Sequence, residues 1–226
     1  MTDGGTHPGK RGGGGALAGR VPDEVARRLV HASTSAVPLS YLVFDPVTWP
    51  RVQAFLAVAV AAGLVLEVVR LRVGLDWWVF DRLTREYERE NLAGYFLGAV
   101  GMTAVAFAFP PTADTLFPGL APALSPVAVP AMLMLTVADP LSGLLGSGEL
   151  RPAKQAWVLL ATFGVATLLA VPFVPATVAV AGGVATTVAD GVKPVVGGYV
   201  IDDNLTIPVG AATVMFAAIE WLPALG

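Results

Sequence analysis

The stretch "YVIDDNLTIP", residues 199–208, places two carboxylates and an amide directly before the last apolar run of the chain. The chain of 226 residues is 55% hydrophobic and only 14% charged, with a mean hydropathy of +0.69. A soluble domain has roughly a quarter of its residues charged. The composition therefore indicates an integral membrane protein, with Asp202, Asp203 and Asn204 at the border of a membrane segment.

Seven apolar runs predict an all-α fold, a polytopic transmembrane helical bundle of about seven spans. The runs cover residues 29–44, 52–69, 92–109, 121–138, 155–171, 174–189 and 205–222. The fifth and sixth runs are separated by "VPFVP" and form either two spans or one broken helix, because proline disfavours a continuous helix.

The domain organisation is simple. The glycine-rich residues 1–20 predict a flexible tail, and residues 21–226 predict a single transmembrane domain. The tail lacks the apolar core of a secretory signal peptide. The chain contains no cysteine, which excludes disulfides, thiolate metal sites and cysteine nucleophiles.

The basic residues set the predicted orientation. With the amino terminus in the cytoplasm, all of the 14 lysines and arginines except Arg51 fall on the cytoplasmic side. Such one-sidedness follows the positive-inside rule. We therefore expect a multi-pass protein of the cell membrane, with its carboxyl terminus outside and its polar loops on the cytoplasmic face.

Four carboxylates converge on that face in this topology: Asp139 after the fourth run, Asp190 after the sixth, and Asp202 and Asp203 before the seventh. Carboxylates near lysines and glycines suit Mg²⁺ and phosphate, because hard oxygen ligands hold the ion and glycines admit phosphate oxygens. The alternative interpretation is that these are solvated caps, with Asp202 or Asn204 starting the last helix as its N-cap.

Five pieces of sequence, in order, resemble the dolichol kinase and phytol kinase family, whose members use CTP to phosphorylate a membrane lipid alcohol and are distant kin of phosphatidate cytidylyltransferases. The resemblance runs from about residue 27 to the end. Asp139 with Gly146 is similar to a D-x-A-x-A-x-x-G motif, and Asp203-Asn204 is similar to a closing D-N motif. The five pieces are "RRLVHASTSAVPL", "LEVVRL", "RENLAGYFLGAVGMTAVAFAFP", "ADPLSGLLG" and "DDNLTIP".

The resemblance implies transfer of the γ-phosphoryl group of CTP to an isoprenoid alcohol of the dolichol, polyprenol, phytol or geranylgeraniol type. Mg²⁺ would be held by Asp139 and Asp203, with Asp202 and Asp190 as further ligands or as a base for the lipid hydroxyl. The remaining implied contacts, to phosphate and nucleotide, are Lys154, Lys193, Gly143, Gly146, Asn204, Arg70 and His31. The expected partners are the lipid, the nucleotide and the bilayer, with no nucleic acid.

One stretch departs from the family pattern. The family carries Lys-Ser/Thr-x-Glu-Gly after its aspartate motif, and here "KQAWV" keeps Lys154 but has Trp157 and Val158 in place of Glu and Gly. Two alternatives therefore stay open. One is a cytidylyltransferase acting on a lipid phosphate, and the other is a diverged, non-catalytic membrane protein.

Two pairings within helices are also predicted. His31 shares a helix face with Arg27 and Arg28, and the family has a similar basic-then-His signature. Glu67 and Arg70 are spaced i,i+3 at the end of the second run. We expect a helix-end ion pair there, and a phosphate contact of Arg70 as the second interpretation.

Overall fold

The structure is a computed structural model that describes residues 25–74, 84, 88, 91–120, 124–146, 155–192, 194–196 and 199–221. The predicted flexible tail, residues 1–20, lies outside the described residues. So do Lys154 and Lys193.

Helices and turns account for most of the described chain. The helices are α1 (residues 25–33), α2 (Ala36–Val43), α3 (Trp49–Val73), α4 (Gly94–Ala108), α5 (Ala128–Gly146), α6 (Ala156–Ala170), α7 (Ala176–Gly191) and α8 (Asp203–Trp221). A 3₁₀ turn covers Pro118–Leu120. Two short antiparallel strands, β1 (Val195–Val196) and β2 (Tyr199–Val200), precede α8 and pair Val195 with Val200.

Each of the seven predicted apolar runs overlaps a helix of the described residues, which confirms the all-α prediction. The first run is split into α1 and α2 by a turn at residues 34–35, and the "VPFVP" segment separates α6 from α7 as a turn. Among the described residues three helices, α3, α5 and α8, are long and apolar enough to cross a membrane, whereas α4 and α6 are shorter apolar helices.

The fourth run was expected to end before Asp139, and this boundary is wrong. Helix α5 continues through "DPLSGLLG" to Gly146. Its interior contains a π-helical turn, Met134–Ala138, in which the Asp139 N–H donates to the carbonyl of Met134. Proline has no N–H for the ordinary α-helical bond, so the wider turn before Pro140 lets the helix continue past the proline.

Helix α5 forms the centre of the bundle. In its 18-residue apolar segment 78% of the residues are buried, against 28% in that of α3 and 33% in that of α8. Helix α8 packs on α4 and α7, and α6 packs on α7. The outer faces carry large apolar side chains, including Val58, Leu160 and Leu168, each about 70% exposed. Exposed apolar surface of this kind is typical of contact with a membrane or a partner protein.

Glycines of α4 bring that helix close to the start of α8. A Cβ at Gly101 would lie 2.9 Å from Cγ of Pro208 and 3.1 Å from the carbonyl oxygen of Asn204, and a Cβ at Gly94 would lie 2.6 Å from the Asn204 amide nitrogen. Small residues at such contacts allow helix backbones to approach in membrane proteins. The α4 glycines therefore fix the position of the Asp-Asn stretch that begins α8.

Candidate functional site

Three aspartates meet inside the bundle. Asp139, Asp190 and Asp203 each present one carboxylate oxygen, and these oxygens all lie within 4.8 Å of one another. The three residues are only 2–3% exposed. The structure thus brings together three of the four carboxylates that the sequence placed on one face, and it buries them.

Each aspartate comes from a different helix. Asp139 follows the π-helical turn of α5, Asp190 lies at the end of α7, and Asp203 is in the first turn of α8. Ser142, one turn beyond Asp139, donates its hydroxyl to Oδ2 of Asp190 at 2.7 Å. This bond ties α5 to α7 within the site. Ser142 was not among the predicted site residues, although its i,i+3 spacing from Asp139 puts both on one helix face.

Asp202 and Asn204 have other contacts. Oδ1 of Asp202 accepts the backbone N–H of Asn204 at 3.0 Å and a short hydrogen bond from the Asn204 side-chain amide. Asp202 thus caps α8, as the alternative interpretation expected. Asp202 is outside the group of three aspartates that the described residues form. The two side chains were expected to be solvent-exposed at the end of a membrane segment, but they are buried: Asp202 is 3% and Asn204 7% exposed.

Helix α1 covers one side of the aspartates. His31 Nδ1 lies 3.4 Å from Oδ2 of Asp139. One turn earlier, the Arg28 guanidinium occupies the space where a side chain at Gly143 would begin. The sequence placed Arg28 and His31 on one face but did not predict these contacts, and the implied contact of His31 with phosphate or nucleotide stays a prediction.

The two predicted phosphate-admitting glycines differ in their surroundings. Gly143 is in contact with Arg28, so its missing side chain makes room for that guanidinium. A Cβ at Gly146 would meet no atom of the described residues within 4 Å. Contact of either glycine with a phosphate stays a prediction.

The Glu67–Arg70 ion pair is present, as predicted. Arg70 donates from Nη2 to Glu67 at 2.6 Å and from Nε at 3.1 Å, and its Nη1 donates to the carbonyl of Glu88 at 2.8 Å. Glu67 also accepts the Ala93 N–H at 3.1 Å and a short hydrogen bond from the Tyr95 hydroxyl. The pair thereby fixes the start of α4 against the end of α3, and the phosphate contact of Arg70 stays a prediction.

The "KQAWV" departure lies at the start of α6, beyond the undescribed Lys154. Trp157 is 50% exposed and donates its indole N–H to the Gln155 side chain at 2.5 Å, whereas Val158 is fully buried. The position at which the family has Glu thus faces outward, away from the packed interior.

A cavity of about 440 Å³ is lined by His31, which contacts Asp139, and by Asn204, which follows Asp203, whereas none of the three aspartates lines it. Its polar lining includes Arg28, His31, Asn204 and the buried Glu88. Its apolar lining includes Val30 and Phe55, which are 51% and 57% exposed, so the cavity extends to the outer surface. A neighbouring cavity of about 300 Å³ shares Phe55 with the first and continues between α2 and α3.

Comparison of this chain with known protein families, with curated proteins and with solved structures found no match.

Proposed function

We propose that this chain is a membrane-embedded kinase that transfers the γ-phosphoryl group of CTP to an isoprenoid lipid alcohol. The observation that supports it most is the meeting of Asp139, Asp190 and Asp203, together with a nearby cavity whose lining combines Arg28, His31 and Glu88 with an apolar wall. The resemblance to the dolichol kinase and phytol kinase family supplies the identity of the reaction. CTP rather than another nucleotide rests on that resemblance alone.

The three aspartates suit Mg²⁺ in donor type and in spacing. Mg²⁺ prefers carboxylate oxygen at about 2.0–2.1 Å in an octahedral arrangement, so oxygens within 4.8 Å of one another need only small shifts to share one ion. Asp139, Asp190 and Asp203 would hold the ion. When bound, Mg²⁺ would neutralise charge on the transferred phosphoryl group.

The protein's own residues would do the positioning. Ser142 orients the carboxylate of Asp190, and His31 lies against Asp139. The cap that Asp202 provides holds the first turn of α8, which carries Asp203. Phosphoryl transfer asks a protein mainly for such positioning and for charge stabilisation. Lys154 and Lys193, which lie outside the described residues, remain proposed phosphate contacts.

The lipid alcohol would lie with its hydroxyl at the polar end of the cavity and its chain along the apolar wall. Phe55 and Val30 line the cavity and are also exposed, so a chain could enter sideways between α1 and α3. Ligand pockets of a few hundred Å³ that combine apolar walls with few polar groups are typical of such substrates.

We further propose that the chain crosses the membrane seven times, with the site on the cytoplasmic face. The support is the one-sided distribution of basic residues. A reporter inserted at Gly148 should be cytoplasmic and one fused after Gly226 should be external. Finding both on the same side would remove this topology.

Product analysis with labelled CTP tests the proposed reaction. Label from the γ-phosphate on the lipid supports the kinase. Label from the α-phosphate on the lipid identifies the cytidylyltransferase alternative, and no lipid labelling with several alcohols and lipid phosphates supports a non-catalytic protein. The exposed Trp157, at the position of the family's Glu, is the observation that favours this last outcome.

A further inference from the structure

We infer that Arg28 is a phosphoryl-binding residue of this site and that Gly143 exists as a glycine to seat its guanidinium. The inference rests on the proposed function only for the identity of the phosphate compound. The observation that carries it is the overlap between the Arg28 guanidinium and the space of a side chain at Gly143.

Two matched contacts bring Arg28 to this position. Arg28 and His31 are one turn apart on α1, and Asp139 and Gly143 are one turn apart on α5. His31 lies against Asp139, and Arg28 lies against Gly143. Since residues three and four apart share a helix face, the two helices dock along one antiparallel seam. This seam delivers a guanidinium to the edge of the aspartate group.

The guanidinium also borders the space open to a ligand. Arg28 lines the 440 Å³ cavity together with His31, Asn204 and the carboxylate-bearing Glu88. A group in this part of the cavity would thus contact Arg28 and His31, and His31 in turn lies against Asp139.

The charges around the site explain why a phosphate compound needs this residue. Three buried carboxylates repel an anionic ligand unless cations face it as well. Arginine is the side chain best suited to this, because its planar fork of N–H donors matches two phosphate oxygens at once. A lysine at this position would supply the charge without the paired donors.

A purely structural role for Arg28 predicts something different. If its guanidinium only offsets the charge of the aspartates, its removal should strengthen cation binding at the aspartates and leave phosphate binding intact. Its removal should also lower the stability of the protein. Phosphate affinity therefore separates the two roles.

The test is calorimetric titration of the detergent-solubilised full-length chain with inorganic pyrophosphate in the presence of Mg²⁺. Arg28→Gln should weaken binding by about 10- to 100-fold, as expected for loss of a hydrogen bond to a charged group. Arg28→Lys should fall between the parent and Arg28→Gln. Arg27→Gln, which removes the same charge from the neighbouring position, should show a smaller loss.

Gly143→Ala tests whether the space beside Gly143 is needed to position the Arg28 guanidinium. Its new methyl group must push the end of a flexible side chain aside, so the protein should fold while pyrophosphate binding weakens about as much as in Arg28→Gln. Gly164→Ala is the matched control, because a Cβ there meets no atom of the described residues within 4 Å, and its affinity should equal that of the parent. Adding Gly143→Ala to Arg28→Gln should cause no further loss.

Several results would overturn the inference: a parent chain that does not bind pyrophosphate, an Arg28→Gln variant that binds it as the parent does, or additive losses in the double variant. Should Arg28→Gln fail to fold, Arg28→Lys and Gly143→Ala decide the matter. Pyrophosphate binding is measured without lipid or CTP. The binding result can therefore be interpreted even if the proposed kinase reaction is not observed.

Discussion

Replacing Asp203 by Asn removes one of three buried negative charges without changing the shape of the side chain. In the absence of a metal ion the three carboxylates of the site repel one another. The substitution should therefore stabilise the metal-free protein while it weakens the response to Mg²⁺. If Asp203→Asn stabilises the metal-free protein and also reduces the stabilisation by Mg²⁺, the two opposite effects are strong support for a metal site.

The distances set the magnitude. Two unit charges at 4.8 Å, the upper limit of the oxygen separations, repel by about 3.5 kcal/mol at an effective dielectric constant of about 20. Asp203 takes part in two such pairs, so the repulsion between fully charged groups is at least about 7 kcal/mol, and bound protons or nearby cations reduce it. Release of about 2 kcal/mol would raise the unfolding temperature of a protein of this size by roughly 4–8 °C.

The assay is thermal unfolding in detergent with EDTA and then with increasing Mg²⁺. The parent should gain about 2.7 kcal/mol when Mg²⁺ reaches 100 times its dissociation constant, whereas Asp203→Asn should start higher and gain much less. Phosphoryl transfer by Asp203→Asn should fall at least about a hundredfold, equivalent to about 2.7 kcal/mol of barrier. Asp202→Asn is the control, because Asn also caps helices, and it should lose less of both responses.

Two outcomes would refute this reasoning. One is an Asp203→Asn variant that is less stable than the parent in EDTA, which would mean that its carboxylate is held by favourable contacts rather than by an ion. The other is an unchanged Mg²⁺ response, which would place any metal elsewhere.

Three further predictions concern the supports of the site. Asp202→Ala should lower the free energy of unfolding by about 1 kcal/mol through loss of the α8 cap, measured by chemical unfolding, and an unchanged value would contradict the capping role. Glu67→Gln should cost about 3–5 kcal/mol in the same assay, because Arg70 would stay buried without its charged partner; a loss below about 1 kcal/mol would show that the pair is dispensable. Gly101→Val should lower the free energy of unfolding by about 1–3 kcal/mol, because the larger side chain forces α4 away from α8. Gly210→Val is the control and should lower it less, since a Cβ there has no atom of the described residues within 4 Å. Equal losses in the two variants would argue against the contact between α4 and α8.

The helices could be predicted because apolar runs and prolines are local features. The sequence left open whether the runs on either side of "VPFVP" form two spans or one broken helix, and the structure has a turn there between the separate helices α6 and α7. The end of α5 was missed for a physical reason. Asp139 and Pro140 suggest the end of a helix in the sequence, but a π-helical turn before them accommodates the proline and the helix continues.

The candidate site could be predicted only in part. Repeated aspartates at the ends of apolar runs indicated that Asp139, Asp190 and Asp203 would share a face. Their burial depends on how α5, α7 and α8 pack, which no local pattern encodes. The contact between Arg28 and Gly143 joins residues far apart in the chain, so no local pattern could show that the space beside this glycine holds an arginine.

Because the three aspartates come from three separate helices, they meet only in molecules in which these helices have packed correctly. A molecule in which α5, α7 or α8 enters the bilayer in the wrong direction, or fails to dock, keeps most of its helix content but has at most two of the carboxylates in place. Circular dichroism would count such molecules as folded, and a metal titration would not. If Mg²⁺ binds at the three aspartates, the molar fraction of Mg²⁺ sites in a preparation would measure how many chains have brought α5, α7 and α8 together.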